Sequence, residues 1–453
     1  MTTASHSIEP APAAWREHLA GAHWSLPEPA QRFRSELGLP TDRPIVMTGH
    51  QCTLWHPGIF SKYAAAHAAS DRFGCRAAWL WVDQDATEAG IVRAPTLEDE
   101  RVGTTSWHLA GSAPPTNQPA GVADASQPSI TTIADPPEHI HPLAAAGAQR
   151  IADALRAHAD APSLGAQFMA AITGTALERF APTPAISATS LVRTAAFVEL
   201  LDEMRRDPEA CAEAYNAAVA EFPDAGIRPL TISDHGIELP LWRLEPGVPR
   251  RAAFDDALDA DSDQINPGTL APRALLMTAL VRALGCDLFI HGTGGGSYDR
   301  VAERWFELWQ SQPLAPMAVA TATRTLDLLD GPVPTRRDVQ VARARAHRAA
   351  HDPALLGDED SARTKRDLVA RIADAPRHSA QRHTLYREMH TLLDRVRNEH
   401  KDELEAQRAE AERVEHAHAA ADLAGDRTWP AVLFPDAVLD ELAGAIAAEF
   451  AIA

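Results

Sequence analysis

Three short stretches of this chain carry side chains whose types and spacing suit chemistry. The first is Thr48-Gly49-His50-Gln51, followed by His56-Pro57-Gly58. Histidines can donate hydrogen bonds to phosphate oxygens, and Gly49 and Gly58 let backbone approach an anion. The second is His291-Gly292-Thr293-Gly294-Gly295-Gly296-Ser297-Tyr298-Asp299. Four glycines so close together are costly in backbone entropy, so a phosphate or another loop is expected to come close to that turn. The third is Asp83-Gln84-Asp85, with Glu88 just after. Paired carboxylates there can hold Mg²⁺ or hydrogen-bond an amine or a ribose hydroxyl. Each stretch also has a plain structural reading: a turn with incidental histidines, a tight turn capped by Ser297 or Asp299, and a solvated strand end.

Other constellations carry less. Ser233-Asp234-His235 is read as a loop, because a hydrolase triad is assembled by the fold rather than by adjacency, and no GxSxG elbow occurs. Neither a Walker GxxxxGK[ST] nor a clean GxGxxG is present. His383, His390, His400, His416 and His418 fall mostly on polar helix faces, and no HExxH occurs, so no metal site is expected there. Cys52, Cys75, Cys211 and Cys286 form no CxxC pair and do not resemble a disulfide framework or a zinc knuckle.

These stretches need elements to position them. Pro44-Ile45-Val46-Met47 reads as a buried strand, 58–72 as a helix, and Cys75 to Asp85 as a second strand ending in acids. Strand, helix, strand over about 40 residues is the βαβ unit of a parallel sheet. A second strand–turn–helix unit follows, in which a strand over 286–291 runs into the glycine-rich turn and a helix over 301–310. At the C-terminal end of a parallel strand, ligands meet the chain at the strand–helix turn. A region near 96–145, rich in Ser, Pro, Thr and Gly, reads as an irregular or hairpin insertion. Beyond about 335 the chain turns helical. Leu385, Met389, Leu392 and Val396 form an apolar stripe that Leu404, Ala411 and Val414 roughly continue, interrupted at His400 and Gln407. This pattern fits either a self-associating coiled coil or helices packing within one chain. The tail 426–453 is expected to dock back on the core of residues 1–330, leaving 335–425 as a helical domain.

The bulk numbers bound the function. With 453 residues, two or three structural units are expected. A hydrophobic share of 45% and a charged share of 23% read as globular and soluble. A formal net charge of -20 argues against non-specific binding to nucleic acid or anionic membrane, while leaving room for a local basic pocket for a small anion. No apolar run reaches about 18 residues, and the N-terminus lacks a basic start followed by an apolar stretch, so a cytoplasmic protein is expected.

Taken in order, these patches resemble the bacillithiol cysteine-adding enzyme family, BshC. The resemblance rests on the strand ending in Thr48-Gly49-His50-Gln51, Tyr63 in the following helix, and the Trp-containing strand ending in acids. It continues with Pro272-Arg273-Ala274-Leu275-Leu276 before a strand and a glycine-rich turn, then the long helical segment and returning tail. His56-Pro57-Gly58 is similar to the start of the HxGH motif of the class I synthetases and nucleotidyltransferases, with Ile59 at its last position. The family's TGQQ is TGHQ here, and its EDHD-like run falls on Val82-Asp83-Gln84-Asp85, which keeps two acids. The resemblance implies an α/β, Rossmann-like parallel-sheet core with an inserted region and an α-helical coiled-coil extension that forms a homodimer. It implies a ligase that joins cysteine or a similar amino acid to an amine such as glucosaminyl-malate, with ATP or ADP and Mg²⁺ as cofactors. The departures point to a divergent branch with a different amine or acid substrate. His50, His56, Asp83 and Asp85 are then the expected catalytic groups. Thr48, Gly49, Gln51, Gly58, His291, Gly292, Gly294, Gly295, Gly296, Tyr298 and Asp299 are the expected binding groups. Two other classes stay open: a binding protein on the same fold without the chemistry, and a hydrolase or nucleotidyltransferase on the same core.

Overall fold

The computed structural model describes residues 4–20, 24–85, 90–110, 128–245, 248–256, 269–329 and 333–453. Glu88 and residues 111–127 of the expected insertion lie outside the described residues. The chain divides into two units. The first holds Met1–Ala94, Thr105–Leu326 and Asp426–Ala453, and the second Pro95–Thr104 and Asp327–Gly425.

In the first unit, apolar runs bounded by turn residues become the strands of a six-stranded, mostly parallel sheet. These are β1 (Ser5–Glu9), β2 (Ile45–Gln51), β3 (Arg76–Val82), β4 (Ala185–Ser187), β5 (Leu288–His291) and β6 (Met317–Thr323). Their spatial order is β1-β6-β5-β2-β3-β4. Only β1 runs antiparallel, against β6. The chain therefore moves outward from β2 through β3 to β4, then returns to the other side of β2 to lay down β5 and β6. The direction of winding reverses between β2 and β5, and the strand ends splay apart at such a point. The β2–β3 register runs unbroken from Ile45 opposite Arg76 to Gln51 opposite Val82.

The helices cover the sheet. α1 (Pro57–Phe73) starts with proline in its first turn and is capped by His56, whose Nδ1 accepts from the Gly58 amide at 3.0 Å. Its alanines let it lie close on the sheet, and Tyr63 contacts Trp79 and Trp81 of β3 at 4.9 and 6.1 Å between ring centroids. α2 (Ala274–Leu280) runs on into a π-helical turn, Val281–Gly285. α3 (Thr293–Gln310) follows β5 directly. The glycine-rich segment 292–296, expected to be a loop, is thus the cap and first turn of a helix. Weak glycine helix propensity is overridden by the apolar face that follows, Val301, Ala302, Trp305 and Phe306, all buried in the core.

The second unit contains α4 (Arg336–Ala349), α5 (Glu359–Asp374), α6 (Ala380–Glu399) and α7 (Lys401–Ala424). α4 packs on α7 and α5 on α6. Leu385, Leu392 and Val396 of the expected stripe pack with Leu368 and Ile372 of the same chain. The segment 379–421 is two helices, broken where His400 leaves helical geometry at φ -110 and ψ 34. In the first unit the chain ends in α8 (Asp436–Ala451), which packs on α1 and sets Phe450 against Trp15 at 5.1 Å. Among the described residues, no helix is long and apolar enough to cross a membrane.

Candidate functional site

β2 changes character along its length. Ile45 to Thr48 are buried, and Gly49 to Gln51 are half-buried as the strand opens into a cavity of about 470 Å³. That cavity lies where the winding reverses, between the C-terminal ends of β2 and β5. Its wall includes Gly49, His50, Gln51, His56 and Gly58 from the first stretch, and His291, Gly292, Gly294, Gly295 and Tyr298 from the second. Asp85 joins them from the end of β3. The two stretches, more than 230 positions apart in sequence, thus face one space.

Four expected residues stand elsewhere. Thr48 is buried and donates from Oγ1 to the Ile290 carbonyl at 2.8 Å, tying β2 to β5 rather than reaching a ligand. Gly296 lies behind the wall, where a Cβ would come within 2.9 Å of Val319. Asp299 is fully buried between the Arg282 guanidinium, at 2.5 Å, and His291 Nε2, at 2.8 Å. Asp83 faces a second cavity, where its two oxygens accept from the amide and hydroxyl of Thr189 at 2.9 and 2.5 Å. Burial outweighs those bonds and raises the Asp83 carboxyl to about 6.

Asp83 and Asp85 therefore do not share a Mg²⁺. They line different cavities, and Asp85 is paired with Arg250 at 2.6 Å and accepts from Gln51 Nε2 at 3.4 Å. Among the described residues, no group of three His, Cys, Asp or Glu side chains is placed to hold a metal ion. All four cysteines are buried and free.

The histidines of the first stretch are neutral groups. Burial, reinforced by nearby Lys62, pushes His50 down to about 3. Its Nδ1 is buried and has no hydrogen-bond partner among the described residues. His56 is also pushed down, first by burial and then by Arg427. Because its Nδ1 accepts from Gly58, a neutral His56 ring carries its proton on Nε2 and presents a donor there. Behind the second stretch, the π-helical turn delivers Arg282 to Asp299, and Asp299 in turn fixes the His291 ring. Tyr298 packs edge-on to His291 at 6.1 Å, and burial pushes its phenol up to about 12.

Several wall residues belong to none of the three stretches. Lys62, on α1, is only 3% exposed and donates to the Gly49 carbonyl at 2.5 Å. Burial brings its amine down to about 7. The sequence holds one signal of it: the chain has three lysines among 42 basic residues, and the other two, Lys365 and Lys401, lie on exposed or partly exposed helix positions. Arg250 stacks on Trp242 at 4.4 Å, and Arg427 enters from the segment before α8. Neither carries a sequence pattern. Lys62, Arg250 and Arg427 face Asp85, the one carboxylate of the wall among the described residues, so the site is locally cationic in a chain of net charge -20. α3 begins at the same wall with no side chain capping its N-terminus. Its first-turn amides and dipole favour an anion there.

The arrangement can hold an anion by charge, by backbone amides and by neutral imidazole donors. Compared with known proteins, the chain is matched by no family model and by no curated protein.

Proposed function

We propose that this protein is a BshC-like ligase, joining an amino acid such as cysteine to an amine-bearing small molecule through a nucleotide-activated carboxylate on a Rossmann-like core. The observation that carries the reading is the convergence of the uncapped α3 N-terminus with Lys62, His50 and His56, at the reversal point of a parallel sheet. With β1 set aside, the parallel strands stand in the order β6-β5-β2-β3-β4, and a ligand crevice at the reversal point is the rule for doubly wound nucleotide-binding folds. The volume of about 470 Å³ falls within the range of small-molecule sites.

In this reading ATP supplies the leaving group that turns a carboxylate into an acyl donor. The residues of the chain bind and orient. The amides opening α3, Lys62 and the Nε2–H of His56 meet phosphoryl oxygens and stabilise charge that grows as the group leaves. Asp85 and Arg250 face the same space and orient the amine and the acid. The amine nitrogen bonds to the acyl carbon, the phosphoryl-bearing oxygen leaves with the bonding pair, and His291, held by Asp299, receives the amine proton. Mg²⁺ bound by the Asp83–Asp85 pair has no part in this reading, because the two acids face different cavities.

A second reading, a nucleotide- or small-molecule-binding protein without turnover, is favoured by one observation: Asp83 and Asp85, expected as catalytic acids, are both already engaged, by Thr189 and Arg250. Calorimetric titration with ATP and ADP, with and without Mg²⁺, followed by an assay for cysteine-dependent nucleotide consumption with candidate amines, separates them. Binding with turnover supports the ligase. Binding without turnover supports the second reading, and no nucleotide binding overturns both nucleotide versions.

A further inference from the structure

Among the described residues, Lys62 has no anionic partner. Its Nζ donates to the neutral carbonyl of Gly49, and no described carboxylate pairs with it. A buried ammonium lacking a counter-charge is costly unless something supplies one. Its side chain runs beneath the start of α3, with Cδ 3.9 Å from where a Cβ on Gly292 would stand. Thr293 and Gly294, the first residues of α3, line the cavity there, and no side chain caps the helix. An ammonium without a counter-charge and an uncapped helix start thus share one cavity.

We propose that this part of the cavity is a built site for a single anionic group, phosphoryl or carboxylate, that Lys62 is its counter-charge, and that the anion enters together with a proton. The inference rests on the anion-binding part of the ligase reading but not on turnover. The charged and titratable groups facing Lys62 are His50 from β2, His56 at the start of α1, His291 from β5, Tyr298 from α3, Asp85 and Arg250 across the cavity, and Arg427. Burial lowers both His50 and His56 from the ordinary imidazole value and so favours their neutral forms.

The sign follows from burial. The Lys62 amine is held near 7 in the free protein, below its ordinary value. A bound anion favours the ammonium and raises that value. At about pH 8 the free amine is mostly neutral, so binding takes up close to one proton; at about pH 6 it is already charged and uptake disappears. Affinity therefore weakens as pH rises through about 7 to 8.

The test is calorimetry with sulfate, a dianion that does not titrate in this range, in two buffers of different ionisation enthalpy. The expected result is uptake approaching one proton at about pH 8 and little at about pH 6. Lys62→Met, checked for native fold by circular dichroism, is expected to lose about tenfold or more in affinity. Lys62→Arg, always charged, is expected to bind without proton uptake. Sulfate binding by the wild type with no proton exchange at about pH 8, or no sulfate binding at all, overturns the proposal. So does a folded Lys62→Met that binds as the wild type does. Competition by ADP against sulfate assigns a phosphoryl source, and competition by malate a carboxylate source; failure of both to compete also overturns it. Proton-linked binding in a protein that never turns over leaves this inference standing while the ligase reading fails. Turnover by a Lys62→Met protein that binds sulfate normally does the reverse.

Discussion

His291 Nε2 and Asp299 Oδ2 lie 2.8 Å apart across the junction between β5 and α3, and the same carboxylate oxygen holds the buried guanidinium of Arg282 at 2.5 Å. The carboxylate thereby does two things. It fixes the ring of a cavity histidine, and it neutralises an arginine that has no exposure to water. Asp299→Asn keeps the shape and removes the charge. Because it leaves Arg282 buried with only Glu303 as ionic partner among the described residues, it is expected to cost about 3 kcal/mol. Urea denaturation checks this; a loss below about 1 kcal/mol, the range of exposed pairs, would mean that Glu303 alone can hold Arg282.

Asp83 gives a pH dependence of unusual sign for an acid. Its folded value of about 6 lies above its ordinary 3.8, because burial favours the neutral form. Below about pH 4 the group is protonated folded and unfolded and costs nothing. As pH rises from about 4 to about 6 the unfolded chain ionises first, so stability is lost across that window and stays lost above it. Asp83→Asn can still accept from the Thr189 amide and donate to its hydroxyl. Its stability relative to wild type is therefore expected to grow by up to about 3 kcal/mol between about pH 4 and pH 6, then level off. Thermal or urea midpoints of both proteins across that range decide it, and a difference that stays flat refutes the cause assigned to the shift.

The local units are readable in the sequence and their assembly is not. Pro44 to Phe73 announces itself because an apolar run, a Gly- and His-bearing turn and an alanine-rich helical stretch follow one another. Asp83 and Asp85 read as a pair because residues two apart share a face of a strand, but β3 ends at Val82 and that parity ends with it. The glycines after His291 read as a loop by composition, while the helix is imposed by packing further along the same element. Lys62 lies within an ordinary helical stretch, and its burial depends on how α1 meets β2 and α3, which no local pattern encodes. The neighbouring of β2 and β5 is a long-range pairing of the same kind. It brings the two glycine-bearing stretches together, although each is visible only alone.

Two glycines of the site separate packing from ligand contact. A Cβ on Gly49 would lie 2.2 Å from the Leu80 carbonyl oxygen, and rigid sheet backbone cannot give way by that much. Gly49→Ala is therefore expected to destabilise by about 3 kcal/mol or more, among the larger effects of single substitutions. A Cβ on Gly294 meets nothing within 4 Å, and the residue sits in the first turn of α3. Gly294→Ala is expected to be neutral or to stabilise by up to about 1 kcal/mol, since alanine restricts the unfolded chain. Denaturation midpoints of the two variants side by side test the contrast. A strongly destabilised Gly294→Ala would mean that the start of α3 is more tightly enclosed than this structure has it.

Leu392 decides how the helical unit uses its apolar stripe. Its side chain is buried in one cluster with α5 residues Leu368 and Ile372 of the same chain. Truncation to alanine leaves a cavity that the surrounding helices only partly refill. Leu392→Ala is expected to cost about 2–5 kcal/mol in the transition of that unit. Because the lost contacts are intramolecular, the shift in midpoint should be the same at dilute and concentrated protein. If the stripe instead closed a coiled coil between two copies, the shift would depend on concentration, since association stabilises by mass action. Thermal denaturation of wild type and Leu392→Ala over roughly a hundredfold range of protein concentration distinguishes the two. A concentration-dependent shift would transfer Leu385, Leu392 and Val396 from the core of the unit to an interface.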